Sequence, residues 1–192
     1  KDQTYQIGSL IELIWGIENP AAIINKIADK NIHIITLTIT EGGYNIAKAT
    51  NEFMLDNENI KYDLAHPQSP KTTFGFVAEG LRKRKAVGNG PITILSCDNL
   101  QHNGNTARKA FLSFFQAQDP ELAEWATVNI TFPNSMVDRI TPSTQPEDII
   151  RLNTQNGTQD GAPVYCEDFI QWVVEDKFIA GRPAWEKVGV EF

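Results

Sequence analysis

The chain has 192 residues, 41% hydrophobic and 21% charged, an ordinary globular balance that excludes a disordered or collagen-like chain. Lys and Arg number 17 against 24 Asp and Glu, and the net charge of −7 argues against a nucleic-acid partner or an anionic membrane surface. Two cysteines allow one bridge at most, no apolar run approaches the ~18 residues of a membrane span, and residues 1–6 lack the apolar core of a signal peptide, so a reduced, cytoplasmic setting is the expectation.

In chain order, residues 5–10 read as a short strand or a strand end. Asn19 and Pro20 start a helix, Asn as N-cap and Pro at the first helical position. Ala22, Ile23, Ile24 and Ile27 give it an apolar stripe that ends near Lys30. Residues 33–40 are β-branched and nearly continuous in apolar residues and Thr, the pattern of a strand covered on both faces. Thr72 or Thr73 caps a second helix through Phe76, Val77 and Leu81 to about Lys85, and Gly88, Gly90 and Pro91 break it. Residues 91–96 are the next buried-type strand. A third helix runs from about residue 105 through Ala110, Phe111, Phe114 and Phe115, and the pair Asp119-Pro120 opens a fourth, to about Val128. Residues 134–140 read as strand or loop. The polar stretch 141–163 reads as a long surface excursion with a helical piece near 147–152, and 164–167 and 169–174 read as further strands.

Strands alternating with helices predict an α/β fold: a parallel sheet with flanking helices. Ligands in such sheets bind outside the strand C-ends. The first residue is not Met and the last five, 188–192, form a strand-like run. The expectation is that residues 1–192 are part of one domain excised from a longer chain.

Two strand ends carry unusual residues. In Thr40-Glu41-Gly42-Gly43-Tyr44 the glycines let the backbone approach a ligand or turn sharply, and Glu41 is either a hydrogen-bond acceptor or a solvated turn residue. In Ser96-Cys97-Asp98-Asn99-Leu100, Asn99 reads either as an amide aimed at a substrate carbonyl oxygen or as a helix cap. Asp98 either fixes Asn99 or caps the following helix. Asp98 and His102 share a face if the stretch is helical, but His33 and His66 are the only other histidines, and no metal is expected. Cys97 has no His at a partner position, which disfavours a thiol nucleophile, and Cys166 reads as a small strand residue. The basic run Arg82-Lys83-Arg84-Lys85 reads as a solvated helix end favoured by the helix dipole rather than a phosphate site. Trp15, Trp125, Trp172 and Trp185 read as packing residues. There is no GxGxxG, and Gly8 stands alone.

Several segments together carry a resemblance. They are Thr38-Ile39-Thr40-Glu41-Gly42-Gly43-Tyr44, the run from Ser96 to Gly104, Phe132-Pro133-Asn134-Ser135-Met136-Val137-Asp138-Arg139-Ile140-Thr141-Pro142, the run from Phe169 to Phe178, and Gly181-Arg182-Pro183-Ala184-Trp185. This set resembles the polyol-specific long-chain dehydrogenases, which include mannitol 2-dehydrogenases and fructuronate and tagaturonate reductases; Met-Val-Asp-Arg-Ile-Thr-Pro is their signature. The resemblance implies a Rossmann-type NAD-binding domain, here incomplete at its N-terminal side and lacking a mostly helical C-terminal domain. It implies metal-free hydride transfer between a sugar alcohol and a 2-ketose. Asn99 would hold the reacting oxygen, Asp138 with Val137 beside it would contact the polyol, and Glu41 would lie near the nicotinamide. Gly8, Ser9, Thr40, Gly42 and Ser96 are similar to cofactor-lining positions. The resemblance places the glycine-rich pyrophosphate loop upstream of Lys1 and the catalytic lysine downstream of Phe192. A hexuronate reductase and a non-catalytic fragment are the competing readings.

Overall fold

The structure is a computed structural model and describes residues 8–138 and 141–192. Residues 5–7 of the first expected strand, and Arg139 and Ile140 of the signature, lie outside the described residues. Helix α1 spans Pro20–Ala28, and the Asn19 side chain accepts from the Ala22 N–H at 3.1 Å. Strand β1 is Ile34–Leu37, followed by a single turn α2, Thr40–Gly43, and by α3, Glu58–Ala65. Helix α4, Thr73–Ala86, is capped by Thr72. Strand β2 is Ile92–Ser96. Helices α5, Asn103–Gln118, and α6, Pro120–Asn129, follow, and Asp119 caps the latter by accepting from Leu122 N–H at 3.1 Å. Then come β3, Ile130–Thr131; β4, Ser135–Asp138; α7, Pro146–Asn156; β5, Gln171–Val174; and a 3-10 turn, Trp185–Val188.

Strands β1, β2 and β3 form a parallel sheet in that order, with Leu37 opposite Ser96 and Ile92 opposite Ile130. Side chains alternate across a strand, and β2 shows what each face meets. Ile92 and Ile94 enter the main core with Phe74, Phe111, Phe114 and Phe115, while Leu95 meets a second cluster with Val174 and Val190. All five β2 residues are buried. The antiparallel pair β4–β5 supplies that second layer; Trp172 and Trp185 lie 5.0 Å apart there, next to Phe178. Two glycines allow close approach. A Cβ at Gly80 would stand 2.5 Å from Ile27, where α1 meets α4, and one at Gly104 would stand 2.4 Å from the Pro133 carbonyl oxygen, where α5 meets the chain entering β4.

Several expectations need correction. Strand β1 is half the expected length: Ile34 and Ile35 are only half-buried, Thr36 is exposed, and its outer edge has no partner strand among the described residues. Gly8, Ser9 and Leu10 form no strand. Residues 164–167 form no strand either, so Cys166 is a loop residue. The closing run 188–192 contributes only an isolated bridge, Val173 to Glu191. The stretch 98–102 is not helical, and His102 adopts a left-handed φ of 52°, so Asp98 and His102 do not share a helix face. The basic run is not simply solvated. Arg84 is 1% exposed and donates to the carbonyls of Gly90, Ile27, Asp29 and Pro91 at 2.7–3.1 Å.

Candidate functional site

Register brings the ends of β1 and β2 flush, and the Cys97 N–H donates to the Leu37 carbonyl at 2.8 Å. Just beyond, Asp98 joins the two strand ends. Its carboxylate accepts the Thr40 N–H at 2.7 Å, the Ile39 N–H at 3.1 Å and the Tyr44 hydroxyl at 2.7 Å. Tyr44 is fully buried and its oxygen lies 2.5 Å from Ser96 Oγ. A hydroxyl carries one proton. With Tyr44 donating to Asp98, Ser96 donates to Tyr44, and the three form one directed chain. Burial, foremost, pushes the Tyr44 phenol well above the usual tyrosine range. Thr40 sits at φ 65°, a left-handed backbone that a β-branched residue rarely adopts.

A second knot holds the start of β4 to the end of β2. The buried Asn103 amide donates to the Ser135 carbonyl at 2.8 Å and the Asp98 carbonyl at 3.0 Å, and its oxygen accepts the Ser135 N–H at 2.9 Å. Ser135 Oγ donates to the Ser96 carbonyl at 2.5 Å. Neither Asp98 nor Asn99 caps α5. The side-chain oxygens of Asn103 and Asn134 accept the Gly104 and Asn105 N–H groups instead.

Asn99 emerges between these knots. It is exposed and makes no hydrogen bond among the described residues. Two clefts share it with Val137. One, about 540 Å³, runs along residues 98–102 and 135–137; the other, about 530 Å³, adds Cys97, Thr141, Ile170, Gln171 and Trp172. A third, about 410 Å³, is lined by Ile39, Gly42, Gly43 and Asn45 among others. Thus Asn99 and Val137 come together, and Thr40, Glu41 and Gly42 form the neighbouring turn. The Asp138 backbone pairs with Gln171, but its carboxylate lies outside the described part of the structure. Ser96 is buried beneath the site, not lining it. Gly8 and Ser9 are exposed and line none of these three clefts. Glu41 is exposed and pairs with Lys48 at 3.1 Å. Burial, then Asp98, pushes the Cys97 thiol above its usual range, which opposes thiolate chemistry. Among the described residues no group of three metal-ligating side chains occurs. Tyr44, Asn103 and Ser135 were not singled out in the sequence. Ser135 opens β4, whereas Tyr44 follows the α2 turn and Asn103 opens α5, so no local signal marked those two.

A parallel sheet with helices between its strands, and clefts outside the strand C-ends, defines a Rossmann-type α/β domain. Residues 1–187 match the family described as the mannitol dehydrogenase Rossmann domain, and the chain belongs to that family. It is 49% identical to the polyol:NADP oxidoreductase of Gluconobacter oxydans, over 96% of this chain and 38% of that protein. It is 43% identical to the D-mannonate oxidoreductase of Escherichia coli, over 97% of this chain and 38% of that protein. The Pseudomonas fluorescens mannitol 2-dehydrogenase, solved as a ternary complex with NAD and D-mannitol, superposes with a TM-score of 0.87 at 49% identity, covering 97% of this chain and 38% of that one. The chain therefore spans well under half the length of these relatives.

Proposed function

We propose that the protein containing this domain is an oxidoreductase. It interconverts a sugar alcohol such as D-mannitol and the 2-ketose such as D-fructose, with NAD as cofactor, and works in the cytoplasm. The observation that carries the reading is Asn99: an amide with no partner among the described residues, exposed in a cleft beyond the central strand, on a loop held from both sides. Family membership and the NAD and D-mannitol complex of the Pseudomonas relative support it.

The donor set suits one half of a dinucleotide. The exposed polar turn Thr40-Glu41-Gly42 beyond β1 suits a carboxamide and a ribose. A pyrophosphate calls for a glycine-rich helix N-terminus, whereas the first turn of α5 is already occupied by Asn103 and Asn134. Thr40, Glu41 and Gly42, with Gly8 and Ser9, are the residues proposed to hold the nicotinamide side. Bound NAD supplies the hydride acceptor for the alcohol carbon. Asn99 donates its amide N–H to the substrate oxygen and stabilises negative charge developing there. Asp138, with Val137 against the carbon chain, accepts polyol hydroxyls. The remainder of the parent protein, a C-terminal domain, supplies the general base and closes the clefts.

NADH oxidation by the full-length protein, with D-fructose, D-fructuronate and D-tagaturonate as separate acceptors, tests this. Turnover with D-fructose is expected. Turnover with a uronate alone moves the protein to the hexuronate reductases, a reading the Escherichia coli relative keeps open. No turnover with any leaves a non-catalytic domain. In the active protein, Asn99→Ala is expected to lower turnover ~10²–10³-fold; wild-type turnover would sink the role.

A further inference from the structure

The proposed active site uses Asn99 on one side and the Thr40–Gly43 turn on the other. A single carboxylate bonds across from one side to the backbone of the other. We propose that Asp98 is a positioning residue that couples the two: one oxygen holds the backbone of Thr40, the other holds Ile39 and Tyr44, and its own backbone carries Asn99. The inference rests on the functional reading above.

Three observations converge on it. The Asp98 bonds to Ile39 and Thr40 span 58 or 59 residues of sequence, so they are not a local turn but a tie between two strand ends. The held residue, Thr40, stands at φ 65°. A left-handed threonine costs roughly 1–3 kcal/mol and persists only where surroundings over-determine it; here the 2.7 Å bond from its N–H to Asp98 is the restraint that does so. Lastly, the third donor is the buried phenol of Tyr44, itself accepting from Ser96 in the last position of β2. The carboxylate is thereby gripped from beneath by the sheet while it grips the turn above. Capping of α5, the ordinary task of an Asp beside a helix start, is excluded because other side chains satisfy its first N–H groups.

A carboxylate is needed for this geometry. Its two oxygens accept three donors converging from one side, and the amide of an Asn would turn a donor toward at least one of them. The turn then loses its hold and the nicotinamide-side residues shift relative to Asn99. Misplacements of ~1 Å in such sites cost ~10²-fold in rate.

The test is a double-mutant cycle in the full-length protein, reading kcat and the KM for NADH with D-fructose, or with whichever acceptor is turned over. Asp98→Asn is expected to lower kcat by ~10- to 10²-fold and to raise the KM for NADH several-fold. In the Asn99→Ala background the same substitution is expected to change kcat by less than about 2-fold, because the amide it positions is gone, while the rise in KM persists. If the two substitutions multiply in kcat, Asp98 does not act through Asn99 and the inference is overturned, although the functional reading stands. If Asn99→Ala turns over like wild type, the functional reading itself falls. Should Asp98→Asn fail to fold, Tyr44→Phe removes one of the three donors and leaves both backbone bonds. It is expected to raise the KM for NADH and lower kcat in the same coupled way by several-fold. A Tyr44→Phe protein with wild-type kcat and KM overturns the inference.

Discussion

The two ends of the parallel sheet use one device for opposite purposes. At the end where chain enters β1 and β2, Arg84 lies buried and spends four of its five N–H donors on carbonyls of the connections from α1 and into β2. At the other end Asp98 accepts N–H groups from the connection out of β1. Each is a charged side chain answered by neighbouring backbone dipoles. The difference lies in what stands beside it. Arg84 is buried and its bonds all go to backbone within the fold, whereas Asp98 is followed by an exposed amide with no partner in the described residues. A buried charge bonded on several sides locks packing; a half-buried one on a cleft's rim spends its bonds on aiming its neighbour. Burial of the strongest polar knot is therefore no guide to chemistry; an unsatisfied group next to a knot is.

The sharpest way to break the contrast is Arg84→Met. Four carbonyls, one buried and three partly buried, lose their donor, and a loss of about 3 kcal/mol is expected, read as a lower denaturant midpoint of the full-length protein by tryptophan fluorescence. Turnover per folded molecule should not change; a fall in it would mean that the two ends are not functionally separate. Tyr44→Phe comes next, at about 1–2 kcal/mol near neutral pH. It also carries a pH signature. Because burial raises the phenol's pKa in the folded protein, unfolded chains ionise first, from about pH 10 upward. Folding stability should then decline by roughly 1.4 kcal/mol per pH unit through this group alone until the higher folded pKa is reached. Comparing alkaline denaturation of wild type and Tyr44→Phe should show that component missing in the variant; an identical pH slope would contradict it. Smallest is Lys48→Ala. Its ion pair with Glu41 joins two exposed side chains, 85% and 60% accessible, so stability should change by no more than about 0.5 kcal/mol. A larger change would give that surface turn a structural weight like that of the sheet ends.

Local chemistry was legible wherever it is local. The caps Asn19, Thr72 and Asp119 act as their residue types imply, and the apolar run of β2 is buried at every position. The Thr40 and Asn99 segments were recognisable as strand ends because parallel α/β topology puts all such ends on one edge. What escaped was non-local. Arg84 sits in a basic run that looks solvated, and only the fold brings Ile27 and Asp29 to it. Asp98 reads either as a support for Asn99 or as a cap, and its bonds to Ile39, Thr40 and Tyr44 stay hidden because those partners lie 54 to 59 residues away. Strand β3 has two residues and no periodicity to detect, and residues 164–167 carry strand-type side chains without a strand to pair with among the described residues.

The central place of β2 also dictates an order of events. Its five apolar and hydroxyl residues can satisfy one edge only against β1, across the crossover 38–91, and the other only after α5 and α6 have brought β3 alongside. Such non-local parallel pairings are slow to form, because loop closure comes before any contact rewards it. During that interval Ile92-Thr93-Ile94-Leu95-Ser96 is an unpaired, association-prone segment.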